Sequence, residues 1–484
     1  MKKIVGRKKE QKILHQIWNS KTAEFVAIYG RRRVGKTFLV REFFGSQSRY
    51  FELMGMKEAP LHDQLSNFAE AFSKTYYPGL PVQSPQSWRK AFSLLTKEME
   101  RSRSKKHLLF FDELPWLAAK KSRFIQALDY FWNVHWSRMP HVKIIVCGSA
   151  ASWMLDHLIN AKGGLHNRLT SIIHMEPFTL YETKEYLQSK KIRLSDKHLL
   201  DLYIVMGGIP HYLNYFDKTK SLEQNIQSIC FATQGFLFTE FRRLFISLFD
   251  AAETNLRIIR EIAQKKEGIS REELLSKTGI TSGGTFNRRL RELQAAGFIQ
   301  SFTPYSYKKK QQYFRVFDEY SAFYLTWIDP IVDKGFTQHN YWKSCLRNPK
   351  WMTWSGYAFE TVCLKHLPQI LNALKLDSIP CEVGSWRFIP KKKSKNHGAQ
   401  IDLLFDRQDQ AITLCEIKYS STAYTLDKTY AKELLRKMET FQEQTQTSKQ
   451  LFLIMITTMG VKRGLWTDEV VSDQVTLKDL VKGS

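Results

Sequence analysis

Two groups of residues in this chain have the types and spacings that chemistry on phosphates requires. The first is Gly30-x-x-x-x-Gly35-Lys36-Thr37, within EFVAIYGRRRVGKTFLVREFF. An apolar run over residues 25–29 leads into it and a helical pattern leads out, the strand–loop–helix context such a phosphate-binding loop needs. The glycines let backbone N–H groups turn toward phosphate oxygens. Lys36 is expected to reach the β- and γ-phosphates, and the Thr37 hydroxyl to ligate Mg²⁺ at a helix N-terminus that favours anions. A second strand pattern, residues 107–111, ends in Asp112-Glu113. Asp112 is expected to hold the Mg²⁺ and Glu113 to polarise the attacking water, which predicts hydrolysis of ATP as well as binding. A third strand pattern, residues 142–147, runs into GSAAS and offers Ser149 beside the γ-phosphate. Arg168, in GGLHNRLTSIIHMEPF, either stabilises transition-state charge, in cis or from a neighbouring subunit of a homo-oligomer, or is an ordinary surface arginine.

The second group is acidic. GAQIDLLF and AITLCEIKYS read as two strands joined by a polar turn over residues 406–410. With the hairpin centred near Asp409, Asp402 faces Glu416 at about 5 Å, and Lys418 points to the same face because strand side chains alternate. Opposed carboxylates repel. Either a divalent metal bridges them, Mg²⁺ or Mn²⁺ by oxygen-ligand preference, or Lys418 neutralises both in a structural cluster. Glu360, on a helical pattern in WSGYAFETVCLKHL, supplies a further acid to that face and favours the metal. Residues 391–395, KKKSK, either guide a nucleic-acid backbone toward the cleft or form a solvated loop. Lys428, Tyr430 and Lys437, on the helix after the lysine strand, are candidates for phosphate contacts.

Several elements must position these groups. At 484 residues the chain is too long for one core. Its 43% hydrophobic and 13% aromatic content is that of a packed protein. No apolar run approaches the roughly 20 residues of a membrane helix, and the N-terminus turns charged before a signal-like core develops, so a cytoplasmic protein with no membrane contact is expected. Six scattered cysteines without a C-x-x-C pair indicate neither a zinc ribbon nor a disulfide framework. The net charge of +26 favours a polyanionic partner, DNA foremost. It divides as about +17 over residues 1–249, about +3 over 250–330 and about +6 over 331–484.

Residues 254–317 have the order of a winged helix, three helical patterns followed by a strand pair. Ser270 and Glu273 fit a capping box, Gly279 ends one helix and Ser282 opens the next. On that next helix Phe286, Leu290 and Leu293 share a face, which turns Thr285, Asn287, Arg288 and Arg291 outward, residue types suited to a major groove. YSYKKK, residues 305–310, is expected to form a wing tip that brings Lys309 to phosphates. The modest charge of this region leaves a second reading open, a hinge between domains.

These motifs resemble the AAA+/STAND-like P-loop ATPases of archaea and bacteria. The resemblance is carried by Val5, Gly6, Arg7 and Glu10, by the G-R-R-R-V-G-K-T loop, by D-E-L-P-W, and by M-G-G-I-P at residues 206–210. It implies that Arg7 lies near the adenine and that the G-G-x-P segment belongs to a helical lid. The set Glu360, Asp402, Glu416-x-Lys418 resembles the PD-(D/E)xK nucleases, and the two strand motifs look like the nuclease-type domain that accompanies this ATPase family, so the likeness covers nearly the whole chain. It implies metal-activated water, with the lysine orienting the nucleophile or stabilising the pentavalent state. Ile401 stands where many such nucleases have proline.

The fold expected is therefore α/β: a P-loop NTPase core over residues 1–178, a helical lid over 179–250, a winged helix over 251–335 and a restriction-endonuclease-like domain over 336–484. One functional reading couples ATP hydrolysis to DNA binding and Mg²⁺-dependent cleavage. The other is an ATP-driven switch that binds DNA or protein and uses the last domain for docking.

Overall fold

Residues 24–30 and 142–148 are apolar almost throughout, and runs of that kind form strands covered on both faces, the usual state of a parallel sheet. The structure, a computed structural model, describes residues 4–47, 49–119, 121–160, 165, 167–281, 283–307, 311–332, 341–390 and 398–483. Its contacts divide the chain into two units.

The first unit, residues 1–177 with two short later segments, is built on a parallel five-stranded sheet of order β2-β3-β4-β1-β5. The strands are β1 (Glu24–Gly30), β2 (Tyr50–Met54), β3 (His107–Asp112), β4 (Val142–Gly148) and β5 (Ser171–Met175). Aromatic residues dominate the core under it, among them Phe25, Phe51, Phe68, Trp88, Phe92, Phe111 and Trp136. Gly30 shows how tightly β1 and β5 are joined: a Cβ there would stand 2.2 Å from the Met175 carbonyl oxygen, and φ is +141°, so only glycine fits.

The second unit takes in residues 178–246, 251–289 and 298–484. Its first part is helical. Thr179 and Glu182 form a reciprocal capping box at the start of helix Leu180–Ser189, and helix Asp196–Met206 follows. The G-G-I-P segment closes back on this start: Phe178 N donates to the Gly208 carbonyl at 2.7 Å, and a Cβ on Gly208 would lie 1.9 Å from the Phe178 oxygen.

Three helices and a small antiparallel sheet come next. They are helices Ala252–Gln264, Arg271–Thr278 and Gly284–Ala295 with β6 (Ile269–Ser270), β7 (Ile299–Phe302) and β8 (Tyr313–Val316), in the sheet order β6-β8-β7. This is a winged helix. Ser270 accepts from Glu273 N at 3.2 Å and Gly279 ends the helix at φ +62°. The return arm of the expected capping box is missing because the Glu273 carboxylate is held by Lys265 at 2.6 Å. Ser282 lies outside the described residues.

The last part is a mixed sheet of order β13-β12-β11-β10-β9. Strands β9 (Cys381–Phe388), β10 (Ala399–Arg407) and β11 (Ala411–Lys418) are antiparallel neighbours, and β12 (Gln450–Thr457) and β13 (Asp473–Thr476) continue in parallel. Helices Pro349–Lys365 and Lys428–Thr445 belong to the same part. Between Ile401 and Leu404 the β9–β10 register shifts by one residue, a β-bulge.

No helix among the described residues is long and apolar enough to cross a membrane. All six cysteines are free thiols, five of them buried.

Candidate nucleotide site and C-terminal acid cluster

The loop after β1 turns through left-handed residues, Arg33 at φ +75° and Gly35 at +94°, and delivers helix Lys36–Phe44 with its N-terminus open. The Lys36 ammonium is folded onto the loop itself, donating to the Gly30 and Arg31 carbonyls at 2.9 Å each. Burial lowers its pKa, while Cys147, Glu113 and Asp112 act in the opposite direction. The Thr37 hydroxyl donates to Asp112 Oδ2 at 2.7 Å. Burial raises the Asp112 carboxyl, partly offset by that hydroxyl. A hydroxyl and a buried carboxylate in contact at a helix N-terminus fit the two protein ligands of a nucleotide-bound Mg²⁺. Next in the chain, Glu113 takes a left-handed backbone, φ +49°, and its Oε2 accepts from Ser149 N at 3.1 Å and Ser149 Oγ at 2.9 Å. Ser149 thus aims Glu113.

The other two expected positions, Arg7 and Arg168, have different surroundings. The Arg7 guanidinium is buried and donates to the carbonyls of Glu176 at 2.6 Å and Val34 at 3.1 Å, which ties it to the phosphate loop. Arg168 is exposed. The thiol of Cys147, unremarked in the sequence, hydrogen-bonds Asp112; its place at the end of an apolar strand was the available signal.

In the C-terminal sheet, Leu403 pairs with Cys415, which continues to Asp402 opposite Glu416. The hairpin is centred on Asp409, as its length predicts. Asp402 Oδ2 accepts from Ile417 N at 3.1 Å. Glu416 is buried and fully engaged: Lys418 lies at 2.9 Å, Lys437 at 3.0 Å, and the Tyr430 hydroxyl donates at 2.5 Å. Burial alone would raise the Glu416 carboxyl, but Lys437, Lys418 and Tyr430 hold it below the usual range. Burial and then the Glu416 charge push Asp402 up to about 6. Burial and then Asp402 push Glu360 well above its ordinary value, opposed by Arg315.

This departs from the expected metal set in one respect. Among the described residues, no group of three or more His, Cys, Asp or Glu side chains is placed to hold a metal ion. Glu360, Asp402 and Glu416 do influence one another, yet Glu416 has given its oxygens to two lysines and a tyrosine. The charge on Glu416 is met by Lys418, its near neighbour in sequence, and by Lys437 and Tyr430 from the following helix. Tyr430 and Lys437, expected as candidates for phosphate contacts, are partners of Glu416. Lys418 keeps about a third of its side chain exposed, 31%. The KKKSK segment lies outside the described residues. His366 is buried and spent on the backbone, accepting from Leu180 N at 2.9 Å through Nε2 and donating from Nδ1 to the Val362 carbonyl at 2.8 Å.

On helix Gly284–Ala295, Thr285, Asn287, Arg288 and Arg291 are exposed, and Phe286, Leu290 and Leu293 are buried. Asn287 accepts from Arg271 at 3.1 Å. The described part of the wing makes contacts within the chain. Tyr305 N donates to the Ser385 carbonyl at 2.7 Å, the Tyr305 hydroxyl to Asp406 at 2.9 Å, and the Tyr307 hydroxyl to the Arg387 carbonyl at 3.1 Å. Its aromatic half is bound to β9 and β10. Lys309 lies outside the described residues.

Residues 4–216 match a family described as an ATPase domain predominantly from Archaea, and residues 252–300 match one described as winged helix-turn-helix DNA-binding. An uncharacterised protein of Methanocaldococcus jannaschii is 24% identical over 445 residues, 90% of this chain and 91% of that one. An uncharacterised ATP-binding protein of the same organism is 49% identical over 40 residues, 8% of this chain and 68% of the other. Among solved structures, the Walker-type ATPase of Pyrococcus abyssi aligns with a TM-score of 0.47 at 18% identity, covering 67% of this chain and 96% of that one. The ORC2 protein of Aeropyrum pernix aligns with a TM-score of 0.45 at 13% identity, covering 72% and 96%. The matched domain and the geometry of Lys36, Thr37, Asp112 and Glu113 agree: the N-terminal unit is a P-loop ATPase.

Proposed function

We propose that this chain is an ATP-dependent DNA-binding protein, in which hydrolysis at the P-loop governs the engagement of the winged helix with a DNA duplex. The observation that carries the hydrolytic half is Glu113 held by Ser149 one residue beyond the Thr37–Asp112 contact. Lys36 leaves the loop carbonyls for phosphate oxygens, and Glu113 accepts a proton from the attacking water. Mg²⁺, held by Thr37 and Asp112, would supply neutralisation of charge on the phosphate oxygens. Arg168, which is exposed, suits a role on a neighbouring copy's nucleotide, with a homo-oligomer as the active form. For DNA, the outward Thr285, Asn287, Arg288 and Arg291 place hydrogen-bonding groups on the helix that would enter a major groove. Fluorescence anisotropy on labelled duplex DNA, with ATP, with ADP and with neither, tests the coupling. Equal affinity in all three states would overturn it.

A second activity is favoured by one observation, the opposition of Asp402 and Glu416 beside a half-open Lys418. With Glu360 these residues resemble a PD-(D/E)xK nuclease site, and metal-dependent DNA cleavage is the corresponding reading. Plasmid nicking with Mg²⁺ or Mn²⁺, compared between the parent and Asp402→Ala, decides it: cleavage that survives Asp402→Ala belongs elsewhere.

A further inference from the structure

The two glycines of M-G-G-I-P have separate neighbours. Gly208 clears the Phe178 carbonyl, which also accepts from the Tyr203 hydroxyl at 2.8 Å. Gly207 closes helix Asp196–Met206 at φ +64°, a conformation that favours glycine, and a Cβ there would stand 3.0 Å from Glu319 Oε2. The segment is thus cut to fit an acid from the winged helix, because Glu319 opens helix Glu319–Phe323 three residues after strand β8. Glu319 is buried, and its Oε2 accepts from Lys365 Nζ at 2.7 Å. Lys365 is the last residue of helix Pro349–Lys365, and its ammonium also lies 4.8 Å over the Phe317 ring. The next residue, His366, receives the Leu180 N–H. Both ends of the 178–208 segment, the exit of the wing and the helix that bears Glu360 therefore meet around one ion pair.

Stability alone does not account for this pair. Apolar side chains of the same volume commonly replace a buried ion pair without loss, and Glu319 is only half satisfied: its Oε1 is buried with no hydrogen-bond partner among the described residues. A carboxylate oxygen in that state is a reservoir of strain. Burial pushes the Glu319 carboxyl up, with Lys365 opposing. What the pair supplies is a fixed position, held where a small displacement of Gly207 meets the carboxylate directly. The nucleotide site reaches the same place along the chain: Arg7 ties the Val34 carbonyl of the phosphate loop to the Glu176 carbonyl, and Glu176 stands two residues before Phe178.

We propose that the Glu319–Lys365 pair, set against Gly207, is the joint that carries nucleotide state from the G-G-I-P segment to the winged helix. A shift of Phe178 or of helix Asp196–Met206 on nucleotide exchange moves Gly207, Gly207 moves Glu319, and Glu319 moves the end of β8 through two intervening residues. Lys365 keeps the carboxylate in its seat, so the movement is passed on and not absorbed by rotation of a loose side chain. This rests on the reading that nucleotide state governs DNA engagement, and it names the residues that link the two. Both are positioning residues, outside the nucleotide site.

The test uses Glu319→Gln combined with Lys365→Met in the full chain, which removes both charges, keeps the volume and leaves no unpaired buried ion. Glu319→Gln alone serves in its place if the double variant does not fold. Hydrogen exchange with ADP and with a non-hydrolysable ATP analogue reads residues 199–208 and 313–323, and the difference between the two nucleotides is the measure, since a merely loosened fold exchanges faster with both. In the parent both stretches should differ between nucleotides; in the variant only the first should. Anisotropy on labelled duplex gives a second measure: the ATP-to-ADP affinity ratio, on the order of 5–150-fold where two sites are coupled, should fall to about 1 in the variant while ATP turnover is unchanged. A parent that responds over 199–208 but not over 313–323, or over neither, overturns the joint, as does a variant that keeps the parent's response over 313–323. A parent whose duplex affinity ignores nucleotide while both stretches respond overturns the DNA reading and leaves the joint standing.

Discussion

The nucleotide site and the acid cluster both gather charge in buried surroundings, but they hold it differently. At the P-loop, Lys36 rests on two carbonyls of its own loop and Asp112 on a neutral hydroxyl. Weak neutral partners are readily exchanged for a charged ligand, so this site is poised to bind. In the acid cluster Glu416 is already paired with two lysines, Lys418 and Lys437, and those ions were desolvated when the domain folded. Exchange there means breaking ion pairs. The difference teaches that acids brought together on a sheet show what a site could hold only after the cations that share their space have been counted.

The largest expected effects break the nucleotide side. Lys36→Ala should abolish ATP turnover, and Glu113→Gln should retain ATP binding while losing turnover by roughly 10²–10³-fold, the scale of a lost general base. Nucleotide binding and phosphate release read the two apart, and an unchanged rate in Glu113→Gln would remove Glu113 from the chemistry. On the other side, Lys437→Met leaves Glu416 with one cation fewer in a buried setting. Urea denaturation should show a loss of about 3 kcal/mol. Thr37→Val, which removes only a neutral hydrogen bond, should cost about 1 kcal/mol. Equal losses would mean that the two sites do not differ in the way described.

A pH scan sharpens the comparison. His366 is buried neutral, and burial pushes its pKa down to about 4, against about 6.5 in an unfolded chain. The folded state therefore resists protonation that the unfolded state accepts. Its contribution is fully present above about pH 6.5 and falls away as pH drops toward 4, by at most about 3 kcal/mol. Chemical denaturation at stepped pH should show this loss in the parent, and His366→Gln should flatten it. The smallest effect is on DNA: Arg288→Ala should weaken duplex binding and reduce the slope of log affinity against log salt by about one. An unchanged slope would leave the helix without that phosphate contact.

What could be read from the sequence was set by distance along the chain. The P-loop with its helix is one uninterrupted stretch, and Asp112-Glu113 closes an apolar strand. Asp402 opposite Glu416 followed from counting a hairpin, since register is fixed by turn length. Lys437 lies on a helix 21 residues beyond Glu416, and no local pattern ties it to that acid. Arg315, whose charge opposes the upward shift of Glu360, lies in a different module, and in its own strand it reads as one more polar residue on a small sheet. YSYKKK was read for its lysines, but its tyrosines carry the contacts, because an aromatic ring with a hydroxyl can bury itself on a sheet and still satisfy its polar end. The bulge at Asp402 carries no glycine to announce it.

That bulge also sets an order of assembly. Residues 303–307 leave the ribosome about 80 residues ahead of Ser385 and some hundred ahead of Asp402, at synthesis rates of about 5–20 residues per second. The wing hairpin is thus complete for several seconds before the strands it will cap emerge. The last sheet of the chain forms against a surface already waiting for it, and its irregular seam is closed by a segment made earlier. Separate production of residues 341–483 would deprive that seam of its cover and leave the Ser385 carbonyl facing water.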